Sequence, residues 1–200
     1  MSRSMDALKH DLRACEICRD RFSKTATAHE PNPVVWFNAS ARILIASQAP
    51  GLRVHHANTP FWDRSGDRLR DWMGIDSDIF YDRDKVAIVP MAFCFPGYNA
   101  AGSDLPPPKI CAETWRADIL SRLSGLRLTL LIGGYAQKWH LGEAANGGVT
   151  RTVAAWRDVM PSVIPLPHPS WRNTGWMKKN PWFEEQTLPD LRIHVARALA

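Results

Sequence analysis

The chain has 200 residues, 45% of them hydrophobic, with a formal charge of +5 at pH 7 and a pI near 9.2. That length supports one well-buried core and falls short of two independent ones, so one domain over residues 1–200 is expected. No apolar run reaches signal-peptide or membrane-span length, which leads to the expectation of a cytoplasmic monomer with no membrane partner. The basic excess suits a polyanion without requiring one, and nine tryptophans are a heavy load for a core of this size.

The first predicted element is an amphipathic helix from Met5 to about Arg19, with Leu8, Leu12 and Cys15 on one side. Cys15 and Cys18 form a C-x-x-C pair, and Cys94 and Cys111 bracket a proline-rich loop. In an intracellular chain this spacing points to a metal or cluster rather than a structural disulfide, and no thioredoxin-like strand precedes it. A pair plus two is what a [4Fe–4S] cluster needs, one thiolate per corner iron; zinc and four unligated thiols stay open at this point. From Ser23 to Ser40 the chain reads as an irregular connection or hairpin onto a sheet.

Ile43 to Ala46 is a run too continuous for a half-wet strand and reads as a buried parallel strand. It ends in the sharp loop Ser47-Gln48-Ala49-Pro50-Gly51, and in open α/β sheets the ligand crevice lies at that end of the strands. Pro50 has no amide hydrogen, so the Gln48 and Ala49 amides are the candidate donors. A second turn, Asp63-Arg64-Ser65-Gly66, opens a helix with Leu69, Trp72 and Met73 at helical spacing. Asp63 stands where it can cap that helix. His55 and His56 lie close in sequence, but their spacing gives them no ligand role.

Further strands are predicted over Val86–Met91, Leu126–Ile132 and Ser162–Leu166, the last at an edge because Pro165 interrupts it. Helices are predicted over Ala112–Leu123, Tyr135–Leu141 and Val149–Val159, the last with Val153 and Trp156 inward. A final helix over Phe183–Leu199 is kinked or restarted near Pro189. This alternation predicts an α/β fold, a three-layer α/β/α sandwich around a central, mainly parallel four-stranded sheet.

The last strand leads straight to His168-Pro169-Ser170, followed by Asn173-Thr174. Beyond it, Trp171, Trp176 and Trp182 interleave with Arg172, Lys178 and Lys179, the composition of a DNA-facing loop. For Lys178 and Lys179 a merely solvated basic face is the competing reading.

The Gln48 loop with the Asp63 turn resembles the first motif of the uracil-DNA glycosylase superfamily, and His168-Pro169-Ser170 resembles its H-P-S loop. Both stand in the family's order, and the resemblance covers roughly Ala7 to Val195. The D-R-S-G-D string is most similar to the family five branch; Ala49-Pro50-Gly51 and Pro60-Phe61 are closer to family four. The cysteine arrangement is also similar to the cluster-binding set of those two families, with a slightly longer loop between Cys94 and Cys111, and the implied cluster is structural.

The resemblance implies a monofunctional glycosylase that hydrolyses the N-glycosidic bond of uracil, or of a related deaminated or damaged base, in DNA. It assigns His168 and Gln48, with the Ala49 amide, to the departing base, Asp63 to the attacking water, and Phe61 to stacking. Asn173 joins the base contacts; Ser65, Ser170, Trp171, Arg172, Lys178 and Lys179 face DNA, with Trp171 or Arg172 as the wedge. Two departures matter. Ala49 stands where the best-known branch has an Asp, and Val89-Pro90-Met91-Ala92-Phe93 lacks the Asn that reads the base edge. A non-catalytic or damage-sensing DNA-binding module on the same scaffold is the alternative.

Overall fold

The computed structural model describes residues 3–200. In chain order the first elements are α1 (Met5–Arg13), α2 (Arg19–Phe22), β1 (Ile43–Ala46), α3 (Leu52–Ala57), α4 (Arg64–Met73), α5 (Ser77–Tyr81) and β2 (Val86–Ile88). There follow α6 (Lys109–Leu120), β3 (Leu128–Ile132), α7 (Gly133–Leu141), α8 (Gly148–Ala154), β4 (Val163–Leu166), α9 (Thr174–Lys179) and α10 (Leu188–Leu199). All strand pairs are parallel, in the order β2-β1-β3-β4, with Ile43 opposite both Val86 and Leu128 and with Thr129 opposite Val163.

Successive strand residues face opposite sides, and both sides are covered. Ile43 and Ile45 join Leu69 and Trp72 of α4, Phe80 of α5, Val153 of α8 and Leu191 of α10 in one core. Leu44 and Ala87 pack on the other side against Leu8 and Leu12 of α1 and Trp115 and Ile119 of α6, while Ala46 and Leu131 meet Ala136 of α7. This two-sided burial is why β1 reads as an unbroken apolar run. The α/β/α sandwich is therefore as expected, with β4 and its Pro165 at an edge.

Several bounds differ from expectation for local reasons. The expected helix Met5–Arg19 stops at Arg13, and Cys15 to Cys18 form a turn closed by the Arg19 amide on the Glu16 carbonyl at 2.9 Å. The strand at Val86 ends at Ile88. Past it the chain follows the first loop, its Val89, Met91 and Ala92 amides donating to the Ile45, Ser47 and Gln48 carbonyls at 2.9, 2.8 and 3.1 Å. The helix expected over Val149–Val159 breaks after Ala154 into a tight turn that keeps Val153 and Trp156 inward. The last helix opens on a wide turn at Phe183–Thr187, and Pro189 falls in the first turn of α10, where its missing amide costs nothing. Helices α3 and α5 were not expected. Among the described residues no helix is long and apolar enough to cross a membrane.

Candidate active site

Two loops leave the carboxyl ends of β1 and β4 and line a single cleft of about 730 Å³. Gln48 and Ala49 stand on one wall; His168, Ser170 and Asn173 stand on the other; Phe61, Asp63 and Ser65 come from the turn into α4. Trp171 and Arg172 belong to the same lining, with Trp171 66% exposed. The cleft thus gathers every residue expected at the base and the sugar. Lys178 and Lys179 are exposed on α9 outside the lining, and His55 and His56 also lie outside it.

Each wall is fixed by hydrogen bonds to backbone. Buried Gln137 of α7 donates to the Leu166 carbonyl at 2.9 Å and to the Leu131 carbonyl at 3.4 Å, joining the ends of β3 and β4 just before His168. The Asn173 side chain donates to the His168 carbonyl at 2.7 Å. Arg68 of α4 donates to the Ser170 carbonyl at 2.9 Å and to the Thr174 hydroxyl at 3.2 Å, so α4 holds the His168 loop as well.

Asp63 has the geometry of a helix cap, extended backbone and Oδ1 accepting from the Gly66 amide at 3.0 Å. It also lines the cleft, and the cap bond takes Oδ1 and not Oδ2. Phe61 has φ +54°, a left-handed conformation that costs a non-glycine residue energy. The Tyr81 hydroxyl holds its carbonyl at 3.2 Å and Arg70 in turn donates to Tyr81 at 3.1 Å. Its ring packs edge-on against Phe80, centroids 6.1 Å apart, and also borders the cleft. Gly66 lies directly beneath: a Cβ there would sit 1.8 Å from the Phe61 carbonyl oxygen.

Burial pushes the His168 imidazole below its usual range, while Asp63 and then Asp104 act in the opposite sense. Desolvation wins, which favours a neutral imidazole beside two carboxylates. Asp104 was missed at the level of sequence because it sits inside the long loop between Cys94 and Cys111, where no periodicity aims a side chain. Arg53, also in the lining, had no motif signal either, whereas Arg64 lies within the D-R-S-G turn. Asn99, the Asn within that loop, accepts the Ala101 and Ser103 amides at 3.0 Å each and shapes a turn.

The cysteines converge elsewhere. Cys15, Cys18, Cys94 and Cys111 line one small cavity, roofed by Phe22, Pro108 and Trp115. All four are free thiols. Among the described residues no three His, Cys, Asp or Glu side chains form a ready-made ion site; what the fold supplies is four soft donors around one hollow, the donor set that an iron–sulfur cluster requires. Burial raises Cys18, Cys94 and Cys111, the last to about 12. Cys111 accepts the Phe93 amide at 3.5 Å, a contact that favours a charged sulfur over a neutral one.

A protein-family model described as the Uracil DNA glycosylase superfamily matches residues 34–192, most of the chain and both loops of the cleft.

Proposed function

Since the chain belongs to the uracil DNA glycosylase superfamily, a family of DNA glycosylases, we propose that it hydrolyses the N-glycosidic bond of uracil or a related deaminated or damaged base in DNA, leaving an abasic site for base-excision repair. The observation that carries this reading is the shared cleft: the Gln48 loop and His168 face one space, with Phe61 and Asp63 between them.

The bond breaks with negative charge growing on the base and positive charge on the sugar. Neutral, half-buried His168 donates to a carbonyl oxygen of the leaving base, and the Gln48 and Ala49 amides are further donors, fixed by the strand they end. Asp63 keeps an oxygen free of its helix cap; that oxygen orients the water and steadies the cationic sugar, the task that Ala49 lacks the side chain to do. Phe61 stacks on the extruded ring, and Trp171 fills the gap in the duplex while Arg172, Ser65 and Ser170 meet phosphate. Among the described residues no lysine lines the cleft to support Schiff-base chemistry.

In this reading the four cysteines hold a structural [4Fe–4S] cluster that ties the first turn of the chain and the Cys94 loop to the sheet. When bound, it supplies a cross-link and no step of the hydrolysis.

The test is a panel of oligonucleotides, each with one altered base, scored by alkaline strand scission. Scission at uracil or another deaminated base is expected. Retained binding with no scission on any base would favour the non-catalytic module instead.

A further inference from the structure

Arg116 is fully buried on α6. Its guanidinium meets only neutral partners. Nη1 donates to the Val89 carbonyl and, at 2.9 Å, to the Pro90 carbonyl. Nη2 donates to His140 Nε2 at 2.6 Å, which makes that nitrogen an acceptor and the imidazole neutral. The Trp139 ring lies 5.8 Å away, and Nε has no partner among the described residues. None of the ion pairs among the described residues includes it. A buried cation without a counter-charge is costly enough that folds seldom keep one.

Cys111 stands five residues before Arg116 on the same helix, in the wall of the four-cysteine cavity, and its sulfur accepts the Phe93 amide, from the same stretch of chain whose Val89 and Pro90 carbonyls Arg116 holds. As a free thiol Cys111 is neutral and leaves the guanidinium uncompensated. A ligating cysteine gives up its proton, and four such thiolates bring excess negative charge beside Arg116. We propose that Arg116 is the buried counter-cation of the four-cysteine site, a positioning residue that stabilises the metal-loaded, thiolate form. Because Arg116 also holds the Val89 and Pro90 carbonyls, and Pro90 lines the cleft, loading of the site bears on the cleft wall through one side chain.

This inference rests on the cluster reading and is tested on the full chain. Wild type, Arg116→Lys and Arg116→Met are reconstituted with iron and sulfide. Bound iron, absorbance near 400 nm, loss to a chelator and reduction potential are then compared. Arg116→Met should lose iron about ten- to a hundredfold faster, the usual scale when a group supporting a metal ligand is removed, and its potential should move negative. Arg116→Lys should restore much of both. In wild type, with zinc as a diamagnetic probe, the Arg116 Nε–H resonance should shift on uptake, a readout that needs no variant to fold. Wild type taking up neither metal overturns the cluster reading and this one together. Uptake with Arg116→Met indistinguishable from wild type, or with an unmoved Nε–H signal, overturns this inference alone.

Discussion

Arg68 donates to the Ser170 carbonyl at 2.9 Å, so the helix that Asp63 caps also grips the loop that carries His168. The two sides of the proposed chemistry are therefore registered to each other through one side chain. Arg68→Ala should leave the fold intact and lower single-turnover cleavage by up to about 10²-fold, the scale of a small misplacement of reacting groups. Thermal melting beside single-turnover kinetics checks this; unchanged turnover would mean that the loop holds itself.

Asp63 can be tested without losing its cap. Asn caps helices as well as Asp does, so Asp63→Asn should keep stability while turnover falls by about 10²–10⁴-fold. Asp63→Ala should lose about 1 kcal/mol as well. If Asp63→Asn melts as wild type and cleaves as wild type, the carboxylate is only a cap.

Gly66→Ala would force a Cβ onto the Phe61 carbonyl. The conflict is with backbone, which yields less readily than a side chain, so a loss of about 1–3 kcal/mol or more is expected by urea unfolding. Affinity for DNA containing the target base should drop with it, because Phe61 moves.

Acid should destabilise the fold in a definite window. Burial, then Arg116, pushes His140 from the ordinary 6.5 down to about 4, and burial lowers His168 in the same sense. Both stay neutral in the fold after the unfolded chain has taken up protons. The contribution of His140 is complete above pH 6.5 and is lost as pH falls toward 4, and that of His168 is lost on the acid side of its ordinary value in the same sense. Urea unfolding at pH 7.5 and pH 5 should give a lower stability at pH 5, and His140→Gln should shrink the difference.

Duplex contact is separable from chemistry. Trp171→Ala should weaken binding to lesion-containing duplex more than to single strands, since only a duplex leaves a gap to fill. Arg172→Ala should make the salt dependence of binding shallower by about one unit in log–log slope. Equal losses on both substrates for Trp171→Ala would rule out a wedge.

The sheet was legible because burial wrote it into composition: Ile43–Ala46, covered on both faces, is an apolar run with the bounds observed. Helices α3 and α5 were not, since each has one buried apolar residue, Val54 or Phe80, and no repeat can be read from one. At the site, Gln48 and His168 were legible because loops at strand ends face one crevice whatever their contents. Arg68, Asp104 and Arg116 were not. Their roles arise from partners distant in sequence, and neither periodicity nor motif encodes which way an isolated polar side chain turns.

The order β2-β1-β3-β4 inserts one strand between the two whose ends bear the reactive loops. That strand runs straight into Gly133 and Gly134 at the start of α7, and a Cβ at Gly133, whose φ is +77°, would meet His168 Cβ at 3.8 Å. The span between the walls is accordingly two ladder steps, about 9–10 Å at ordinary strand spacing, and cannot be widened by degrees without breaking hydrogen bonds. Variants of this chain selected for a larger guest should keep this gauge and change what hangs from the strand ends, so tolerance for guest size should track loop residues and not sheet geometry.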